Sequence, residues 1–190
     1  MKKVGILGGT FDPPHIGHLI IADQVWQQCQ LDEIWFMPNY LPPHKEKTST
    51  TTNSDRIQML KYAIEGHPAF KIELIEMERN GKSFTYDTIR LLKKREPDKK
   101  FYFIIGADMI EYLPNWHKID QLMKLISFIG VNRPGFKRET TYPIHYVEIP
   151  SIQISSSMIR NFIAKGMSVK YLLPEAIIQY IEEHGLYGKK

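Results

Sequence analysis

Four short apolar runs, each stopping at glycine, proline or charge, constrain this chain more than any other feature. They are Val4-Gly5-Ile6-Leu7, Ile34-Trp35-Phe36-Met37, residues 101–105 and residues 128–131. Runs this short, without polar alternation, read as strands buried on both faces. Between them apolar residues recur at helical spacing. Leu19, Ala22, Trp26 and Cys29 mark a helix from about Gly17. Ile57, Leu60 and Ile64 mark one capped by Ser54. Ile89 and Leu92 mark one opening near Thr85, and Ile119, Leu122 and Leu125 or Ile126 mark another. A weaker strand fits residues 70–74, followed by a turn at Asn80-Gly81. Strands alternating with helices predict an α/β fold: a Rossmann-like, doubly wound parallel sheet with helices on both faces. Past Phe136 the pattern changes. A last strand at 146–149 is followed by helices at 158–164 and 174–184, with Gly185 as a stop. This makes a small helical C-terminal portion, about 151–190.

In such a sheet ligands bind beyond the carboxyl ends of the strands. Residues 8–18, 38–45, 106–108 and 133–135 follow strands, and the loop at 39–53 is long enough to be functional. The decisive segment is Gly8-Gly9-Thr10-Phe11-Asp12-Pro13-Pro14-His15-Ile16-Gly17-His18. Two glycines after a strand let backbone approach a ligand closely. The N–H groups there and at the helix start favour phosphate, and Thr10 adds a hydroxyl. His15 and His18, three residues apart, present both imidazoles on one face. Gly17 between them leaves room for a phosphate or nucleobase. The pair could also begin a zinc site, but no third ligand stands nearby. The dehydrogenase pattern Gly-x-Gly-x-x-Gly is absent from this turn. Gly81-Lys82-Ser83 lacks the earlier glycine of a P-loop, since position 76 is Glu76.

Downstream, Ile154-Ser155-Ser156-Ser157-Met158-Ile159-Arg160 puts consecutive serines at a helix start. They can cap the helix or hold an anion, and Arg160 one turn inside can reach the same anion. These two segments resemble the H-x-G-H and I-S-S-T-x-I-R signatures of the nucleotidyltransferase superfamily, with Ser157 where Thr is usual. Within it the chain resembles the bacterial nicotinate-mononucleotide adenylyltransferases nearly end to end. Pro42-Pro43-His44-Lys45, Ser83-Phe84-Thr85-Tyr86-Asp87-Thr88, Ile105-Gly106-Ala107-Asp108, Leu113-Pro114-Asn115-Trp116 and Arg133-Pro134-Gly135 match its blocks, Phe84 replacing a common Tyr.

The resemblance implies one nucleotidyltransferase domain over residues 1–190. It implies transfer of AMP from ATP to nicotinate mononucleotide, giving deamido-NAD and pyrophosphate, with Mg²⁺ held mainly through the ATP phosphates. By the same resemblance His15, His18 and Arg160 are catalytic. Gly8, Gly9, Thr10, Phe11, Gly106, Asp108, Ser156 and Ser157 join them in binding ATP, and His44, Lys45, Thr85, Tyr112, Trp116 and Arg133 bind the acceptor. Chemistry alone supports part of this. Trp116 can stack on a flat pyridine ring or anchor packing. Asp108 past a strand end can accept ribose hydroxyls. Lys45 can meet a phosphate or be solvated. N–H groups at the helix start near Thr85 suit a carboxylate better than an amide. A pantetheine-phosphate adenylyltransferase shares only the two signatures, and a regulator without catalysis would not need both histidines and Arg160.

The remaining composition narrows the setting. A net charge of +4 suits phosphate-rich ligands. The basic residues are scattered, however, and Lys93-Lys94-Arg95 and Lys99-Lys100 read as solvated surface, which argues against nucleic acid. The single cysteine, Cys29, forms no intrachain disulfide and reads as a buried structural thiol. The apolar run after Met1-Lys2-Lys3 is too short for a leader, and no stretch approaches membrane-spanning length. The expectation is a cytoplasmic enzyme whose partners are ATP and nicotinate mononucleotide, with neither nucleic acid nor membrane; a homo-oligomer stays open.

Overall fold

In a computed structural model, which describes residues 1–40, 51–79, 84–131 and 140–188, the apolar runs pair into one six-stranded sheet. The strands are β1 (Lys2–Gly9), β2 (Glu33–Pro38), β3 (Phe70–Ile72), β4 (Lys99–Gly106), β5 (Ser127–Val131) and β6 (Ile144–Val147). Every pairing is parallel and the order is β3-β2-β1-β4-β5-β6. The predicted doubly wound α/β fold is the one observed.

Strand alternation sends neighbouring residues to opposite faces, and two cores result. Val4, Ile6, Trp35, Met37, Phe101, Phe103 and Ile105 point to one face. There they meet α3 (Ile75–Arg79), α4 (Thr85–Arg95), α5 (Ala107–Tyr112) and α6 (Ile119–Leu125). Leu7, Ile34, Phe36 and Ile104 point to the other. That face is covered by α1 (Ile16–Gln28), α2 (Asn53–Ile64), α7 (Ser156–Ala164) and α8 (Glu175–Glu183). The C-terminal helices thus pack on the same core as α1 through Ile159, Ile177 and Ile181.

Several local expectations are corrected. Thr52, not Ser54, caps α2: its hydroxyl accepts from the Asp55 N–H at 3.1 Å, and its own N–H donates to the Asp55 carboxylate at 2.8 Å. Asp55 sits where a capping box needs its acid, whereas a cap at Ser54 would have faced Ile57. Helices α3 and α5 were not foreseen; at five and six residues they are too short to show a period. The basic cluster is largely exposed, as expected, and three of its members are also tied down. Arg95 pairs with buried Glu73 and, at 3.7 Å, with Glu78; Lys99 pairs with Glu96; Lys93 donates to the Leu125 carbonyl at 2.8 Å. Cys29 ends α1 only partly buried, and that burial pushes its thiol up, away from reactivity. The Asn80-Gly81 turn lies outside the described residues.

At the opposite end of the sheet from the glycine turn, Glu33 ties three strands together. Its buried carboxylate accepts from Lys2 of β1 at 2.5 Å, from Trp35 Nε1 at 2.8 Å and from Lys71 of β3. Burial alone would raise its pKa, but these hydrogen bonds and the Lys71 charge hold it down at about 2. A depressed carboxylate stabilises the fold above its ordinary pKa and loses that contribution as pH falls toward the folded value. Glu33→Gln is expected to cost about 2 kcal/mol at pH 7. In urea unfolding the gap to wild type should narrow between pH 4.5 and about 2.

Candidate active site

Beside β1 the strand order reverses. The chain runs outward from β1 through β2 to β3, then returns to β4 on the other side. The crevice at such a switch point lies between the carboxyl ends of β1 and β4, at Gly9 and Gly106. One lip is the loop from Thr10 to His15. The other is α5, whose N-cap is Gly106 and whose first turn holds Asp108.

The β1–α1 loop is buried from Phe11 to His15. Phe11 takes a left-handed φ of 52°, a strained choice for a bulky residue. Its ring turns into the core, 1% exposed, 5.9 Å from Phe36 and 5.0 Å from His18. A Cβ on Gly9 would come within 3.0 Å of that ring, so the glycine admits Phe11. Two asparagine bonds fasten the strand ends: Asn39 N–H donates to Gly9 O at 3.0 Å, and its side chain to Thr10 Oγ1 at 3.4 Å.

His15 caps α1, and its backbone N–H donates to His18 Nδ1 at 3.1 Å. The rings stack at 3.7 Å, tilted by 24°. Because His18 Nδ1 accepts, its proton resides on Nε2. The space expected beside Gly17 is filled by protein: a Cβ there would lie 3.0 Å from His15 Nδ1 and 3.5 Å from Ile152. Gly17 accommodates the imidazole rather than a ligand.

Helix α7 closes on this loop from 140 or so residues away. Ser155 is its cap, accepting from Met158 N–H at 3.2 Å. Ser156 Oγ donates to Pro13 O at 2.9 Å, and Arg160 Nη1 to Asp12 O at 2.8 Å. Arg160 Nη2 also reaches the exposed Ser157 hydroxyl at 3.4 Å. Arg56 of α2 adds a further clamp. It is buried, and donates to Thr10 O at 2.7 Å, Asn39 O at 2.8 Å and Asn53 Oδ1 at 2.7 Å. The two signatures therefore meet at one place.

On the β4 side, Thr85 opens α4 behind Phe84, which offers no side-chain cap. The Phe84 ring lies 4.8 Å from His117, so the α4 N-terminus sits beside the turn carrying Trp116. Trp116 is half-buried, edge-on to Phe103 at 5.8 Å and 6.2 Å from Phe128. Tyr112 ends α5 and is 42% exposed. Among the described residues no group of three or more His, Cys, Asp or Glu is placed to hold a metal ion. Nor, among the described residues, is any helix long and apolar enough to cross a membrane.

A family model described as cytidylyltransferase-like matches residues 6–162. The chain belongs to this family. A Bacillus subtilis nicotinate-nucleotide adenylyltransferase is 55% identical over 187 residues, 98% of this chain and 99% of that protein. A Geobacillus thermodenitrificans relative named "Probable nicotinate-nucleotide adenylyltransferase" is 57% identical over the whole chain and 88% of its own length. The structure of a Plasmodium falciparum nicotinic acid mononucleotide adenylyltransferase complexed with NaAD superposes with a TM-score of 0.82 at 27% identity, covering 98% of both chains. By these relatives the chain falls among the nicotinate-nucleotide adenylyltransferases, and it is a nucleotidyltransferase.

Within this cytidylyltransferase-like site, the structure gathers Gly8, Gly9, Thr10, His15, His18, Ser156, Ser157 and Arg160 at one rim. Gly106 and the backbone of Asp108 stand across the crevice. Thr85 and Trp116 each adjoin one ring of the Phe84–His117 contact. His44, Lys45 and Arg133 lie outside the described residues. Sequence reasoning missed Arg56, although it stands on the same helical face as Met59, Leu60 and Ala63. An arginine in an apolar stripe is a readable signal. Tyr187, whose hydroxyl donates to Asp12 Oδ1 at 2.5 Å, was also missed, and nothing in the sequence marks it.

Proposed function

We propose that this chain transfers AMP from ATP to nicotinate mononucleotide, giving deamido-NAD and pyrophosphate as a step in NAD biosynthesis. The observation that carries it is the clasp between the two signatures, Arg160 on Asp12 O and Ser156 on Pro13 O. That clasp makes one rim of N–H groups, imidazoles and a guanidinium, suited to a triphosphate. A neighbour's complex with NaAD supports the same product.

In the reaction, a 5′-phosphate oxygen of the acceptor attacks the α-phosphorus of ATP. The bond to the bridging α–β oxygen breaks and pyrophosphate leaves with the electron pair. No protein nucleophile is needed; positioning and charge stabilisation carry such transfers. His18 Nε2–H and His15 donate to the α-phosphate oxygens as charge builds. Arg160, Ser157 and the N–H groups of α7 hold the β and γ phosphates. Thr10 and the backbone of Gly8 and Gly9 line the crevice over the buried Phe11, opposite the ribose-binding turn at Gly106 and Asp108. ATP enters as its Mg²⁺ complex, the ion riding on the phosphates. The first turn of α4 at Thr85, which the Phe84 side chain does not cap, offers N–H groups to the nicotinate carboxylate, with Trp116 and Tyr112 flanking the ring and His44, Lys45 and Arg133 serving the acceptor phosphate. A cytoplasmic setting, where ATP is supplied, belongs to this reading.

Pyrophosphate release tests it. With ATP and nicotinate mononucleotide, release is expected, at a higher kcat/KM than with nicotinamide mononucleotide. With phosphopantetheine none is expected. Release with phosphopantetheine but not with either mononucleotide would refute the acceptor assignment.

A further inference from the structure

The last turns of the chain return to the signature loop. After α8, Gly185 takes a φ of 59° and Tyr187 one of 63°. A left-handed backbone is strained for a tyrosine. Tyr187 hydroxyl donates to Asp12 Oδ1 at 2.5 Å, across 175 positions. Asp12 is 4% exposed. Burial, the Asp12 charge and this bond together push the Tyr187 phenol far above its usual range, so it remains a donor at any working pH.

Asp12 is the junction of the loop. Its carbonyl accepts from Arg160, its carboxylate from Tyr187, and its charge acts on buried Arg56, offsetting the burial that pushes that guanidinium down. Neighbouring carbonyls are held by Ser156 and Arg56, and Ile16 N–H by Leu172 O at 3.0 Å. All of those bonds grip backbone. Among these hydrogen bonds, that from Tyr187 is the one made to the Asp12 side chain.

We infer that Tyr187 is a positioning residue for the adenylyl transfer: its bond to Asp12 sets the loop that aims His15, His18 and Arg160. This rests on the proposed function, and its test separates the two. Tyr187→Phe is compared with Tyr180→Phe in the full chain. Tyr180 lies in the same C-terminal segment and makes a like bond, donating to Asp55 Oδ1 at 2.8 Å, but on the α2 cap rather than the loop. Tyr187→Phe should lower kcat about 10-fold, since small misplacements at a reacting centre are costly, with the KM for nicotinate mononucleotide within about twofold of wild type. Tyr180→Phe should lose stability but keep kcat within about twofold. Equal kcat losses in the two variants, or an unchanged kcat in Tyr187→Phe, would overturn the inference. Amide exchange supplies a readout free of substrate. In Tyr187→Phe the amides of Phe11, Asp12 and His15 should exchange faster while the sheet stays protected. Unchanged exchange at these three, or loss of protection across the whole sheet, would overturn it as well. A wild-type chain without turnover would sink the functional reading and leave the exchange result to decide Tyr187.

Discussion

Replacing His18 by alanine is expected to lower turnover on the order of 100- to 1000-fold, the usual cost of removing one donor aimed at developing charge. A hydrogen bond presets this ring. His15 N–H donates to His18 Nδ1, which leaves the ring proton on Nε2 and fixes the ring against His15 at 3.7 Å. The imidazole is therefore a pre-set neutral donor rather than one that must reorganise. Alanine also removes the acceptor at the start of α1, costing about 1 kcal/mol. Urea unfolding beside initial-rate kinetics separates the two losses. A glutamine at this helix position can accept the cap N–H, so His18→Gln should regain the stability without regaining the turnover. Near-normal rates in His18→Ala would remove His18 from the mechanism.

The sheet was legible because its signal is redundant. Each central strand is buried on both faces, so its residues are apolar on both, and glycine or proline ends β1, β2 and β4. Tyr102 and Ile104 of β4 point one way, Phe101 and Phe103 the other, and each set finds its own helices. Helices α3 and α5 escaped because five or six residues do not complete a period. The α2 cap was misplaced by two residues because Thr52, Ser54 and Asn53 are all competent caps. Only the reciprocal acid, Asp55, decides among them.

The site was legible in its components and not in its supports. The glycines, histidines, serines and Arg160 announce themselves by residue type at a strand or helix end. What braces them does not. Gly17 was read as room for a ligand, yet a Cβ there would strike His15; Gly9, read as a close backbone approach, also makes way for the Phe11 ring. Whether a glycine makes way for a ligand or for a neighbouring ring depends on where a side chain turns, and here a left-handed Phe11 decides it. Tyr187 is farther still from any local pattern, since its role follows from a tail that folds back over the whole chain.

Arg160→Ala should cut kcat/KM for ATP on the order of 100-fold and leave the KM for nicotinate mononucleotide within about twofold. Its guanidinium has five N–H donors. One holds Asp12 O and one reaches Ser157, so the fork stays oriented while other donors remain for phosphate oxygens. Arg160→Lys keeps the charge without the planar fork. It should recover part of the lost rate yet stay roughly 10-fold below wild type, the size of a lost charge-assisted hydrogen bond. Kinetics with each substrate varied in turn decide between two roles. A guanidinium that binds the triphosphate affects ATP selectively, because only ATP carries the β and γ phosphates. A guanidinium that merely braces Asp12 loosens the loop shared by both substrates. If alanine raises both KM values alike and lysine restores nothing, Arg160 is a strut and the triphosphate must be held elsewhere.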